Sequence, residues 1–387
     1  MSLELSTVYT DLTLGCDPEF FFAQDGKVIG AEKVLPASGI LGAEKQRISG
    51  SGADAGSWDN PNAFVLDGVQ VELNPKPTYC RAHIGNQLRV AFIALKEHLN
   101  KVGNGKIKAS FSSVIEIDQR ELDGLSEKAK VFGCAPSLNQ YDKGATVSVD
   151  AATYLKRSAG GHIHLGLEAY LIPHHARLVP LLDIIVGNTC VMIDRDPEAA
   201  TRRLHYGRAG EHRLPKHGLE YRTLSNFWLR SYQLTSLVLG LTRLAVGVLK
   251  TTMGGTPYYD YSKGMTVSNA AWDAEADLLK RVDLANIMKA INTNDLELAK
   301  KNWLGVREFI KEHVTALSGY GSGGYPLNDT HLPAFDFFLK KIEEHGLEYW
   351  FPDDPMEHWT SVGEGHYGGW EDFLSKIVKI KMNAESK

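Results

Sequence analysis

No two cysteines stand at CxxC spacing; Cys16, Cys80, Cys134 and Cys190 are scattered along the chain. A zinc ribbon or thioredoxin-type motif is thereby excluded, and a reduced intracellular setting is expected, with a cytoplasmic location. The opening residues Met-Ser-Leu-Glu-Leu-Ser have neither a basic nor an apolar leader region, so no signal peptide is expected. Long apolar runs are scarce. The longest, near residues 234–249, is interrupted by Arg243 and falls short of the ~18 residues that suggest a membrane span. There is no basic excess: the net charge is −5 and the pI is near 6.3, against a nonspecific nucleic-acid binder. The glycine-rich stretch at residues 49–56 lacks the GKS/T ending of a P-loop. No HExxH helix and no GxSxG elbow occur, which removes the commonest zinc-hydrolase and serine-nucleophile signatures. Internal repeats and low-complexity tracts are absent as well.

What remains is a chain of 387 residues, 43% hydrophobic and 23% charged, long enough for a large core and one to three domains. Its organising stretch is Ser158-Ala-Gly-Gly-His-Ile-His-Leu-Gly166. In an extended strand, residues two apart share a face, so His162 and His164 point one way and Ile163 and Leu165 the other. Gly160 and Gly161 permit close backbone approach at the strand's start. Three other stretches repeat the device: Asp17-Pro-Glu-Phe20, Val69-Gln-Val-Glu-Leu-Asn74 and Leu219-Glu-Tyr-Arg-Thr223. Each offers a polar face, through Asp17 and Glu19, through Glu72, and through Glu220 and Arg222. A sheet that gathers those faces collects carboxylates, imidazoles and a guanidinium. A half-buried strand with one wet polar face is the ordinary alternative for each stretch alone.

Along the chain, residues 12–23 read as a strand, followed by an Asp25-Gly26 turn into a hairpin. Pro18 has no N–H and belongs at a strand start, an edge or a bulge. Residues 37–62 form a glycine-rich connection, read either as a plain linker or as a lid. Residues 64–74 make a second strand, and residues 81–101 a helix whose apolar stripe is core. Residues 106–117 alternate like a strand, 132–136 read as a bend, 147–150 are ambiguous, and 173–193 are helical. The basic stretch 199–218, with Arg202, Arg203, Arg208 and Arg213, reads as a glycine-broken loop. It is open to two readings, a solvated surface or a clamp for anionic oxygens. After Asn226, residues 232–250, 270–291, 295–317, 334–344 and 370–381 look helical. The expected class is α+β: helices over a curved, mostly antiparallel sheet, with a sheet-rich region 1–228 and a helical region 229–387 docked on it.

A carboxylate-rich set with one imidazole suits Mg²⁺ or Mn²⁺ better than zinc. With the arginines added, the expected ligand is a nucleoside triphosphate with its metals, and the chemistry phosphoryl transfer.

The ordered motifs Asp17-Pro-Glu19, Val71-Glu-Leu-Asn-Pro75, Gly160-Gly-His-Ile-His-Leu-Gly166 and Arg208…Arg213…Glu220-Tyr-Arg222 resemble the glutamine synthetase / glutamate–cysteine ligase superfamily. Within it they are most similar to the phage-type carboxylate–amine ligases, over about residues 12–226. The resemblance implies an antiparallel funnel holding ATP and two or three Mg²⁺ or Mn²⁺ ions. A carboxylate is activated there as an acyl phosphate, and an amine attacks to give an amide. The partners are small-molecule or peptide carboxylates and amines, with neither nucleic acid nor membrane; a phage-encoded chain would act in the host cytoplasm. Carried over by motif, Asp17, Glu19, Glu72, His162 and Glu220 bind metal, His164 lies nearer the phosphates, and Arg208, Arg213 and Arg222 contact phosphate and act catalytically. Two departures stand out: fewer acids surround the second strand than in glutamine synthetases, and Asp17 is shorter than Glu. A non-catalytic nucleotide-binding relative and a guanidine kinase-like phosphotransferase are the alternative functions.

Overall fold

The structure, a computed structural model, describes residues 12–35, 40–41, 47–48, 63–78, 81–131, 137–142, 154–194, 196–253, 258–260, 265–267, 273–317, 344 and 351–361. Its strands in chain order are β1 (Leu12–Cys16), β2 (Glu19–Gln24), β3 (Lys27–Ile29), β4 (Ile40–Leu41), β5 (Arg47–Ile48), β6 (Ala63–Asp67) and β7 (Gln70–Asn74). They continue as β8 (Ile107–Ser110), β9 (Val114–Glu116), β10 (Leu138–Asn139), β11 (Lys156–Ser158), β12 (Ile163–Leu167), β13 (Glu211–Arg213), β14 (Gly218–Tyr221), β15 (Tyr258–Asp260) and β16 (Met265–Val267). The helices are α1 (Arg81–Gly103), α2 (Gln119–Asp123), α3 (Glu127–Lys130), α4 (His175–Leu182), α5 (Asn188–Ile193), α6 (Ala199–His205) and α7 (Tyr232–Thr252). Then come α8 (Ala274–Arg281), α9 (Leu284–Thr293), α10 (Leu296–Leu317) and α11 (Pro355–Ser361).

The class is α+β, with antiparallel strands and packed helices, as expected. The strands do not form one sheet, however. One five-stranded sheet runs β1-β12-β14-β13-β10; the other runs β3-β2-β7-β6, with β8 also on β2. The expected strand over residues 12–23 is therefore two strands in two sheets, and Pro18 is the reason. Without an N–H it cannot carry a ladder onward. Before it, β1 pairs with the histidine strand β12, Gly15 opposite His164. After it, Glu19 pairs with Glu72 of β7. The chain changes partner within three residues, and Asp17 and Glu19 stand at the seam. Residues 106–117 likewise divide, β8 joining β2 and β9 joining β11.

The seam is locked from behind. The Glu19 N–H donates to the Gly160 carbonyl at 2.9 Å, and the Leu73 N–H to the Pro18 carbonyl at 3.0 Å. Asn226 Nδ2 donates to the Glu19 carbonyl at 2.9 Å, and Trp228 Nε1 to the Gly161 carbonyl at 3.1 Å. Phe20, Phe21 and Phe22 are buried just beyond. Phe20 meets Phe92 of α1 at 5.8 Å between ring centroids, and Phe92 meets Trp359 of α11 at 5.6 Å. The α1 stripe of Ile84, Leu88, Ala91, Phe92, Leu95 and Leu99 is buried as its spacing predicts, in a core that also takes in Leu14 of β1 and Leu237 of α7.

Four expectations need correcting. The basic stretch 199–218 is not a loop: it holds helix α6 and strand β13, turned at Gly207 and Gly210 with φ of 78° and 81°. Nor are Arg202 and Arg203 an anion clamp. Both are buried, and Arg202 donates to the carbonyls of Ala159, Thr223 and Leu224 while Arg203 donates to that of Gly207. Residues 270–291 are two helices, because Asp283 caps α9 by accepting from the Ala285 N–H at 2.8 Å. Finally, the apolar stretch 172–193 and helix α7 are each long and apolar enough to cross a membrane, but 83% of each stretch's apolar window is buried inside the protein. They are core helices. The glycine-rich connection 37–62 (apart from β4 and β5), residues 132–136 and 147–150, and the helices expected at 334–344 (apart from Glu344) and 370–381 lie outside the described residues.

A Cβ at Gly161 would lie 2.3 Å from the Ser225 carbonyl oxygen and 2.4 Å from Trp228 Nε1. Gly161→Ala should therefore cost about 1–3 kcal/mol of stability, read as a lowered urea midpoint. An unchanged midpoint would show that the seam is not held as described.

Candidate metal and anion centre at the seam of the sheets

Two acid clusters face each other across the seam. The first joins β1, β12 and β14. Asp17 Oδ1 lies 3.2 Å from His162 Nδ1, Glu220 Oε1 lies 3.6 Å from the same nitrogen, and Asp17 Oδ2 lies 3.0 Å from His164 Nε2. The shared register explains the meeting: His164 stands opposite Gly15 on one side and Glu220 on the other. Arg213, opposite Glu220, grips it with two bonds of 2.6 and 2.7 Å, and Arg222 Nε lies 3.1 Å from Glu220 Oε1. The Arg222 side chain is 0% exposed and that of Arg213 34%, so only Arg213 has room to swing.

The second cluster joins β2, β6 and β7. One carboxylate oxygen each from Glu19, Asp67 and Glu72 lies within 4.8 Å of the others, as do ligand atoms of Asp17, His162 and Glu220 in the first. Glu19 Oε2 accepts from the Gly160 N–H at 2.6 Å and from Gln70 Nε2 at 3.1 Å; Glu72 Oε1 accepts from Asn74 Nδ2 at 2.6 Å.

Both groups fit divalent cations, on the geometry of their donor atoms. Ligand oxygens and nitrogens around an ion bound at about 2.1 Å sit roughly 3 Å apart, facing the ion and not each other. Asp17 Oδ1 and His162 Nδ1 have that separation, are fully buried, and yet make no aligned hydrogen bond. On its other ring nitrogen, His162 Nε2 meets the Tyr206 hydroxyl. With the proton on Nε2, the Nδ1 lone pair faces the two carboxylates, the usual posture of a metal-binding histidine.

The electrostatics point the same way. Burial pulls His162 below its ordinary value, which favours the neutral ligand form. Burial alone would raise Asp17, but His164 and His162 hold it well below the usual carboxylate range. In the second cluster burial and the neighbouring acids outweigh the Gly160 and Asn74 donors and the nearby arginines. Desolvation and then Asp67 push Glu19 up to about 8; desolvation and Asp17 push Asp67 up to about 6; desolvation and the neighbouring acids push Glu72 well up. Like charges are packed together there.

Of the residues singled out in the sequence, Asp17, Glu19, Glu72, His162, His164, Arg213, Glu220 and Arg222 come together. Arg208 is exposed, in the turn before β13. Three participants were missed. Asp67 supplies an acid beside the second strand, where the motifs are short of one. Its signal was the hairpin itself, since an Asp67-Gly68 turn sets Asp67 opposite Gln70, on the face of Glu72. Tyr206 lies between two arginines, with Arg202 and Arg222 at 4.8 and 5.0 Å from its ring centroid. His217 Nε2 lies 3.2 Å from His164 Nδ1. Both sit in the stretch taken for a loop, where no periodicity marks a face.

Residues 142–316 match the family model described as phage phiEco32-like COOH.NH2 ligase-type 2. This is the family that the motifs resemble. The match to this ligase family takes in His162, His164, Arg213, Glu220 and Arg222, and not the seam residues or the β6–β7 hairpin. No curated protein matches the chain. Among solved structures, one described as "Crystal structure of novel glutamine synthase homolog" is 12% identical, covers 87% of this chain and 71% of its own, and has a TM-score of 0.29. A likeness that distant adds nothing to what the strands show.

The raised acids carry protons in the folded chain that the unfolded chain releases, so stability falls as pH climbs between their unfolded and folded values. For Glu19 that window runs from 4.5 to about 8. Without divalent ions, the melting temperature should fall from about pH 5 to about pH 8, and saturating Mn²⁺ should remove most of the fall. A melting curve insensitive to both pH and Mn²⁺ would contradict the cluster's description.

Proposed function

We propose that the protein is an ATP-dependent carboxylate–amine ligase that forms an amide through an acyl phosphate, using Mg²⁺ or Mn²⁺. One observation carries the reading: a buried group, Asp17/His162/Glu220, and a partly buried one, Glu19/Asp67/Glu72, meet at one seam beside Arg213 and Arg222. The match to a ligase family supports it. A wet strand face explains none of this, because acids are crowded together, with Asp17, Glu19 and Glu220 buried among them, at a cost in stability.

In this reading Asp17, His162 and Glu220 hold one ion, and Glu19, Asp67 and Glu72 another. Bound there, the ions would neutralise phosphate oxygens and the charge that develops during phosphoryl transfer. The chain's own groups do the rest. Arg222, fixed by burial and by donating from Nη1 to Ser137 Oγ at 3.1 Å, presents a rigid cation to the phosphates. Arg213, half exposed, moves from Glu220 to the transferring phosphoryl when nucleotide binds. His164, held by Asp17, donates to a phosphate oxygen. A substrate carboxylate oxygen attacks the γ-phosphorus, the bond to ADP breaks, and an acyl phosphate forms. The amine nitrogen then attacks the acyl carbon, phosphate leaves, and the surplus proton passes to solvent.

Glu72→Ala and His162→Ala should each lower metal-dependent ADP formation by at least about 100-fold, with the circular dichroism spectrum retained. Product mass separates the alternatives. Condensation joins acid and amine with loss of water, whereas a kinase adds phosphate to one acceptor. A wild-type chain that binds nucleotide but releases no ADP with any acid–amine pair is the non-catalytic relative.

A further inference from the structure

Asp183 is an acid that the proposed mechanism does not use, buried where an acid is least at home. It opens the π-helical turn Asp183–Gly187, between α4 and α5, and its neighbours Ile184, Ile185 and Val186 are core residues. Its own exposure is 0%. Single π turns inside α-helices recur at functional sites, because the extra residue re-aims a side chain. Here the turn points the carboxylate at the back of the sheet that bears the arginines. Asp183 Oδ1 accepts from the Tyr221 hydroxyl at 2.7 Å, and Oδ2 from the Tyr141 hydroxyl at 2.8 Å. Burial pushes Asp183 up to about 7, against the pull of the Tyr221 and Tyr141 hydroxyls and of the Gly210 backbone.

Those three partners lie on three separate segments, and each leads to the anion end of the site. Tyr221 sits on β14 between Glu220 and Arg222. Gly210, at φ 81°, ends the turn into β13, two residues before His212 and three before Arg213. Tyr141 follows β10 in the segment whose Ser137 receives Arg222 Nη1. Tyr141 is also fitted to that turn. A Cβ at Gly210 would lie 2.7 Å from its ring, and the Gln140 N–H donates to the Gly210 carbonyl at 3.0 Å. Space at the π turn is equally tight, since a Cβ at Gly187 would lie 2.5 Å from the Tyr221 hydroxyl. One carboxylate thus ties β14, the β13 turn and the β10 segment to a single point in the helical layer.

We propose that Asp183 is a positioning residue for nucleotide phosphates: through Tyr221, Gly210 and Tyr141 it sets the spacing of Arg213 and Arg222 around Glu220. The inference rests on the ligase reading of the same site. It touches no ligand of either acid cluster directly, so it separates anion geometry from metal binding.

The test compares Asp183→Asn, Tyr221→Phe and Tyr141→Phe with wild type by calorimetry, using Mn²⁺ alone and then the β,γ-imido analogue of ATP with Mn²⁺ present. Tyr141 is partly buried at the edge, and Tyr141→Phe removes only a hydroxyl, so this variant stays foldable should Asp183→Asn not fold. For Asp183→Asn, Mn²⁺ affinity should stay within about twofold and analogue affinity fall by about tenfold or more. Each Phe variant should show the same selectivity, with a smaller loss. Equal analogue affinity in all three variants overturns the inference alone. So does a parallel loss of Mn²⁺ and analogue binding, which marks a merely structural role. A wild-type chain that takes Mn²⁺ but no analogue overturns the ligase reading, and this inference with it.

Discussion

The site depends on a change of strand partner within three residues. β1 ends at Cys16 on the histidine strand, Pro18 cannot extend the ladder, and β2 begins at Glu19 on a different sheet. Asp17 and Glu19 are consecutive acids of one short motif, yet they belong to separate sheets and separate clusters. Were the strand continuous, its period of two would put both acids on one face of one sheet. The β6–β7 hairpin, which carries Asp67 and Glu72, would then have no route to the histidines. Everything behind the seam holds this crossing still: Asn226 and Gly160 on the Glu19 backbone, Trp228 on Gly161, and Arg202 across the ends of β11 and β14.

The crossing concentrates charge. In the first cluster, imidazoles and guanidiniums balance the acids, and Asp17 is held ionised. In the second, three carboxylates face one another, with donors from Gly160, Gln70 and Asn74 for company. The two halves are thus complementary in character: one prepared with fixed positive groups, the other left short of them. The fold tolerates the imbalance because the aromatic and aliphatic core beneath β2 is large, running through Phe20 and Phe92 to Trp359.

Much of the site was legible because strand parity is strict. His162 with His164, and Glu220 with Arg222, are paired by the two-residue repeat alone, and their meeting follows from antiparallel register. The helix α1 stripe was legible for the same kind of reason. Sequence periodicity does not report which sheet a strand joins, so one expected sheet became two. It was silent again in residues 199–218. There α6 buries arginines against backbone carbonyls, and a chain of charged residues reads as surface whether its charges meet water or carbonyls. Tyr206 and His217 were lost in that stretch. Asp67 was lost differently: read as one strand, residues 64–74 set Asp67 on the face away from Glu72, whereas the turn after Asp67 makes them a hairpin and brings it round to that face.

The central proposal is that the two acid clusters hold two divalent ions close together across the seam. Electron paramagnetic resonance of the protein titrated with Mn²⁺ tests it most directly. Two bound ions should appear, with spectra broadened by coupling between them once the second is bound. Two uncoupled signals, or a single ion however much Mn²⁺ is added, would contradict it.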